Sequence, residues 1–372
     1  MGKRPHIGLY SPYIPEHAGG GERYFFSVAE CLSSYADVEV LIPPSFSHEN
    51  FEKYREKYET TFHLNLKNIR FVSTNIGTHK PFLQKFLETF RYDVLLYITD
   101  GSFFFSGARR NVVQIQFPFM FPQRGVLNRL KLLNWGIKAT YSQFAKKVVE
   151  RTWNTPIRYV HYPYVDLTVF KPEEKENIIL SVGRFFTGEK SGSHCKRQDL
   201  IVKMFRRMVD ANEMKGWRLI LIGGVDPGED NVEYARSVKQ LAKGYPVKIF
   251  HDAPFDLLRQ YYAHASIYWH AAGFGIDQER FPTKVEHFGL APLEAMASGA
   301  VPIVVNKGGL PEIVEHGVNG FLCETEDDFI GYTRKMIENK SLESKLSTAA
   351  RQRAGWFSRK RFHETLKEMV CG

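Results

Sequence analysis

Apolar residues along this chain fall into short continuous runs, separated by stretches with helical periodicity. HIGLY (6–10) reads as a strand, a turn-rich loop follows, and then YFFSVAECLSS repeats Phe25, Val28, Ala29 and Leu32 at helical spacing. VEVLIPP is a second strand, residues 50–68 are polar and charged, IRFVST is a third strand, a helix lies near 80–91, and YDVLLYITD and NVVQIQFPF are further strands. IRYVHYPYVD (157–166) closes this series with a proline-bearing turn. The pattern restarts at NIILSVGRF (177–185), and RLILIGG, VKIFHDA, SIYWHAA and AVPIVV follow with helical stretches between them. Strands alternating with helices predict parallel sheets covered on both faces. The expected fold is therefore α/β, with two Rossmann-like doubly wound domains facing a cleft, at 1–165 and 166–355. A terminal helix at 356–372 (WFSRKRFHETLKEMV) is expected to pack back on the N-terminal domain. Ligands of such sheets sit at the carboxyl ends of the strands.

Composition narrows the class. The 372 residues are 43% hydrophobic and 24% charged, which supplies ample core and excludes bulk disorder. Cys31, Cys195, Cys323 and Cys371 are far apart with no CxxC pair, so reduced thiols in a cytosolic protein are expected, not a disulfide scaffold or zinc site. No apolar run reaches the roughly 20 residues of a membrane span, and the basic MGKRPHIGLY start is too short in apolar residues for a signal peptide. The net charge of +9 is lopsided. Residues 1–165 carry 21 Lys and Arg against 13 Asp and Glu, whereas 166–372 carry 29 against 28. The first half is thus expected to meet something anionic. Its cations gather at 124–158, where Arg124, Arg129, Lys131, Lys138, Lys146, Lys147, Arg151 and Arg158 face only Glu150.

Four segments carry candidate chemistry. His17-Ala18-Gly19-Gly20-Gly21-Glu22-Arg23 links a strand to a helix, either as a tight turn or as an anion cradle on the helix amides. It lacks GxGxxG spacing. Arg184 ends the first strand of the second half, and Lys196 opens the next helix; together they can neutralise a diphosphate. Lys190, in the loop between them, is the alternative to Lys196. The third segment, EHFGLAPLE, places Glu286 before a loop of Gly289, Leu290 and Ala291. Pro292 is expected as the first helical residue and Glu294 within the first turn. The amides face an anion, and the two carboxylates suit sugar hydroxyls. The fourth, NKGGLPEIV (306–314), follows a strand and opens another helix beside the third.

VGRF…KRQDL followed by EHFGLAPLEAMASGAVPIVVNKGGLPEIVEHGVNGFL resembles the nucleotide-binding half of family 4 glycosyltransferases, and GGGER resembles their first-half glycine loop. The resemblance implies the GT-B architecture and retention of anomeric configuration. It implies transfer from a UDP- or GDP-sugar to a hydroxyl of a glycan or lipid-linked glycan. By it, Glu286, Arg184 and Lys196 are catalytic. Glu294, Gly289, Leu290, Ala291, Gly20, Gly21 and Lys190 bind the donor, and Gln116 and His17 lie toward the acceptor. Gln116 departs from the pattern, standing where many members carry a histidine; this is the best support for the alternative, a nucleotide-sugar-binding protein without transferase activity. No DxD pair or HExxH spacing occurs, so no metal and no further cofactor is expected. RGVLNRLKLLNWGIK, with Val126, Leu127, Leu130, Leu133 and Trp135 among cations, suits anionic lipid headgroups or else a core helix with a solvated basic face. Nucleic acid is not an expected partner. The expected location is cytoplasmic, peripheral at the inner face of the membrane.

Overall fold

The computed structural model describes residues 4–12, 19–44, 48–118, 125–187 and 195–372. The chain divides into two compact units, Met1–Pro163 with Lys360–Gly372, and Tyr164–Arg359. Residues 356–359, expected with the terminal helix, instead belong to the second unit. Phe357 accepts a hydrogen bond from the Val165 amide and packs edge-on against Phe288, which ties it there.

The first unit runs β1 (His6–Tyr10), α1 (Gly20–Ser33), β2 (Asp37–Ile42), α2 (His48–Phe62), β3 (Ile69–Ser73), α3 (Phe82–Thr89), β4 (Val94–Ile98), β5 (Arg110–Ile115), α4 (Val126–Asn134), β6 (Ile137–Thr140), α5 (Gln143–Trp153) and β7 (Tyr159–Val160). Among the described residues its strands form one parallel sheet in the order β3-β2-β1-β4-β5-β6-β7. Every residue of β4 is buried, as a strand covered on both faces requires. Two elements escaped the hydropathy pattern. The polar stretch 50–68 contains α2, whose aromatics turn inward: Phe51 stacks on Phe71, and Tyr58 on Phe26. Burying Phe26 and Phe51 contributes roughly 2–3 kcal/mol each. The helix expected to run through NWGIK stops at Asn134, because Trp135 turns into the core and donates its indole N–H to the Phe104 carbonyl.

The second unit runs β8 (Glu176–Val182), α6 (Gln198–Asp210), β9 (Arg218–Ile222), α7 (Glu229–Ala242), β10 (Val247–Phe250), α8 (Phe255–His264), β11 (Ala265–His270), α9 (Leu290–Ala297), β12 (Val301–Val305), α10 (Leu310–Ile313), β13 (Phe321–Cys323), α11 (Glu326–Glu338) and α12 (Lys340–Trp356). Its sheet is parallel in the order β10-β9-β8-β11-β12-β13, so the winding reverses between β8 and β11. Such a reversal leaves a crevice at the carboxyl ends of the two central strands.

The last helix, α13 (Arg359–Cys371), packs on the first unit. Its anchor is the buried His161, just beyond β7. The His161 Nε2 proton is donated to the Phe362 carbonyl at 3.0 Å, and Nδ1 accepts from the Tyr24 hydroxyl of α1 at 2.5 Å.

Candidate functional site

At the winding reversal, β8 runs into Gly183. A Cβ there would stand 2.7 Å from Cγ of Lys196, so glycine lets the lysine stem cross the strand end. Arg197 follows in the left-handed region (φ 56°, ψ 41°), with Nε held by Asp199 at 3.1 Å. This bend, immediately before α6, turns Lys196 inward. Its Nζ lies 2.5 Å from Oε2 of Glu286.

The same carboxylate oxygen receives Nε2 of His270 at 2.9 Å. His270 is the last residue of β11 and is buried. Burial holds it below the usual histidine range, against the pull of Glu286 and with help from the Lys196 charge. It is therefore neutral at pH 7, with its proton on Nε2 donated to the carboxylate. Beside Glu286, burial pushes His287 down to about 4.

The Glu286 backbone is fixed from below. The Gly309 amide donates to the Glu286 carbonyl at 2.8 Å. Gly308, at φ +61°, and Gly309 lie so close to the Glu286 and His287 carbonyls that a Cβ on either would collide with backbone. Gly289, at φ +104°, caps α9. The helix starts at Leu290, not at Pro292. Proline occupies its third position, still within the first turn where no intrahelical N–H bond is lost. The Leu290 and Ala291 amides thus stand at the positive end of the helix dipole. Glu294 falls in the second turn, not the first as expected. It is buried and accepts from the Tyr262 hydroxyl at 3.0 Å. Tyr268, two residues before His270, is raised well above an ordinary phenol by burial, with Glu286 and Glu294 adding. Its hydroxyl stays protonated near both carboxylates.

Of the expected residues, the structure gathers Lys196 and Glu286 in contact, with Gly289, Leu290, Ala291 and Glu294 on the adjoining helix entrance. Arg184 follows Gly183 at the same strand end, where its side chain is 56% exposed and its Nη1 lies 3.0 Å from both carboxylate oxygens of Asp226. Gly20 and Gly21 are the first residues of α1, not loop residues as expected. A Cβ on Gly21 would lie 3.6 Å from Oε1 of Gln116, which follows β5, so these two residues are neighbours. His17 and Lys190 lie outside the described residues. Sequence reasoning passed over His270, Tyr262 and Asp226. For His270 the signal was its place at a strand's carboxyl end. Among the described residues no three His, Cys, Asp or Glu side chains gather as a metal would require.

Two doubly wound parallel sheets, the second with helix-entrance loops at its winding reversal, define a protein of the GT-B class. The chain belongs to the glycosyl transferases group 1 family, which it matches over residues 167–353. It is 27% identical over 246 residues to the human alpha-1,3/1,6-mannosyltransferase ALG2, covering 62% of this chain and 56% of that protein. It is 28% identical over 241 residues to the D-inositol 3-phosphate glycosyltransferase of Geodermatophilus obscurus, covering 60% and 49%. The chain thus spans about half the length of these relatives. The crystal structure of Anabaena HepE with UDP and glucose is similar in fold, with a TM-score of 0.68 over 98% of both chains at 18% identity. A Rickettsia africae glycosyltransferase gives 0.70 over 100% of both at 14% identity.

Proposed function

We propose that the protein is a retaining glycosyltransferase that moves a sugar from a UDP- or GDP-sugar to a hydroxyl of a glycan or lipid-linked glycan. The observation that carries this reading is the buried Glu286, held by Lys196 and His270 beside the α9 entrance and Glu294. Relatives' names point the same way. One carries GDP-Man and a PP-Dol-linked acceptor, and the neighbouring Anabaena structure holds UDP.

In this reading the donor diphosphate lies at the amides of Gly289, Leu290 and Ala291, neutralised by Arg184 and by Lys196, to which Lys190 is the alternative. Glu294 takes the donor ribose hydroxyls and Glu286 faces the transferred sugar. Gly20 and Gly21 are assigned to the donor phosphates, and Gln116 and His17 to the acceptor. The bond from the anomeric carbon to the diphosphate breaks as the acceptor oxygen bonds that carbon from the same face. The acceptor proton passes to the departing phosphate. Fixed positive charge aimed at that leaving group supplies most of the acceleration, without a resident metal or further cofactor. The basic stretch 124–158 meets an anionic membrane surface, which makes the protein peripheral at a cytoplasmic membrane face.

Turnover with UDP- and GDP-sugars, measured on Arg184→Ala, Lys196→Ala and the double variant, tests the assignment. Each single change is expected to slow transfer by about a hundredfold or more, on the scale of losing one preorganised donor. Glu294→Ala should chiefly weaken donor binding. Wild-type turnover in the double variant would refute the site.

A further inference from the structure

Two helices of the first unit wear their apolar stripes on the outside. On α3 and its C-cap these are Phe82, Leu83, Leu87 and Phe90; on α4 they are Val126, Leu127, Leu130 and Leu133. All eight are between 49% and 78% exposed, and they are eight of the twelve large exposed apolar residues among the described ones. The spacing is that of an amphipathic helix, yet the face that would normally enter the core points away from it. Within each helix a single residue is buried, Thr89 in α3 and Leu132 in α4. The two are neighbours. Thr89 Oγ1 accepts from the Gly107 amide at 2.8 Å, while Asn134, at the end of α4, accepts from the Ser106 amide at 2.8 Å. Their ends are thereby pinned to consecutive residues of one segment. Exposed apolar surface of this kind marks an interaction face.

Charge selects the occupant. Lys80 precedes α3 and Lys85 lies within it, and Arg129 and Lys131 lie within α4. The acid of α3, Glu88, is held by the Asn75 amide and side chain. At the far end of α3, Phe90 completes the stripe and also lines a cavity of about 290 Å³, whose walls carry Arg4, Arg70, Arg91 and Arg109 together with Asp37 and Asp93. Beneath it the buried Glu39 takes Arg70 and Arg91, each at 3.0 Å, and the Tyr92 hydroxyl at 2.7 Å. Asp37 pairs with Arg4 at 3.3 Å and Asp93 with Arg109 at 3.2 Å. The carboxylates orient the guanidiniums, and a guanidinium carries five N–H donors, more than one such pairing uses.

We propose that α3, α4 and the arginine-lined cavity form one docking face for an anionic phospholipid bilayer. The stripes enter the headgroup–acyl boundary, and the cavity takes a headgroup phosphate. This rests on the membrane partner proposed above and extends it to α3 and to the cavity, both outside 124–158. Apolar insertion and headgroup charge acting together give reversible binding that salt weakens.

The test is co-sedimentation of the full chain with vesicles of phosphatidylcholine, with and without phosphatidylglycerol. Binding is expected only to the anionic vesicles. Leu83→Glu with Leu130→Glu should abolish it. Arg70→Gln with Arg109→Gln should weaken it about 25-fold, since each cation near the surface contributes a factor of about five. These side chains are largely exposed, and unchanged melting temperatures would show that the variants fold. Binding of UDP or GDP, followed by thermal shift on the same samples, should be unaltered. Vesicle binding that survives both double variants overturns the proposal, as does a wild-type dimer in solution that the leucine variants dissociate. Either result with nucleotide binding intact leaves the transferase reading standing.

Discussion

Glycine opens a helix in both units, for opposite reasons. In the second unit the protein's own backbone demands it. Gly308 and Gly289 sit at positive φ, and a side chain at Gly308 or Gly309 would collide with the carbonyls of Glu286 and His287. At the α1 entrance of the first unit no such demand exists. Gly19 and Gly21 are at ordinary φ, and a Cβ on Gly21 would merely touch Gln116 at van der Waals distance. Glycine at a helix start gives up backbone entropy, about 0.5–1 kcal/mol relative to alanine in a helix. Where packing explains a glycine, the glycine says nothing about a ligand. Where packing does not, the space it leaves is the more informative signal.

The sharpest way to break this contrast is Gly308→Ala. Left-handed strain of about 1–2 kcal/mol adds to an overpacking cost of about 1–3 kcal/mol. A loss near 3 kcal/mol would lower the melting temperature of a unit this size by about 10 °C. Calorimetry on the intact chain reads it, and an unchanged transition would remove the packing explanation for the second unit's glycines.

Acid should expose a feature the two units share. His161 in the first and His287 in the second are both pushed down to about 4 by burial. Each binds its proton more weakly folded than unfolded, so each lends stability that is whole above about pH 6.5 and lost as the pH falls toward 4. Between pH 7 and 5 the loss is about 2 kcal/mol per histidine. Denaturant unfolding of His161→Phe and His287→Phe at the two pH values should each show a pH dependence smaller by that amount. An identical slope in a variant would mean that its histidine is already solvated.

What was legible in the chain follows from how its parts are buried. Strands covered on both faces read as unbroken apolar runs, so β4, β11 and β12 stood out, and the restart near residue 177 marked the second sheet. The helix entrances of the site were legible because glycine and proline punctuate them. Pairings across the fold were not. Nothing local links Arg184 to Asp226, forty-two residues on, or His270 to Glu286. Short β6 was lost inside a helical pattern, and α2 was hidden by its charges. The stripe on α4 was readable, but periodicity cannot tell whether an apolar face points inward or out, and only the packing shows that α3 and α4 share the outward sense.

Gly21→Ala is the smallest change and the most discriminating. Among the described residues the new methyl meets only Gln116 Oε1, at 3.6 Å, and φ there needs no glycine. Folding stability should therefore stay within about 0.5 kcal/mol of wild type, or rise by a similar amount because the unfolded chain loses freedom. Transfer is expected to suffer all the same. If the loop entrance is kept bare so that a phosphate or acceptor can approach the backbone, one methyl in that path costs contacts that only the bound state makes. A loss of about 1.4 kcal/mol of binding reads as a tenfold rise in donor or acceptor KM. Ser would report the same obstruction with a polar group, so Gly21→Ser and Gly21→Ala should fall together if space is what matters. Stable variants with wild-type kinetics would show that the first unit's glycine is only punctuation, and the contrast with Gly308 would then reduce to a difference in packing.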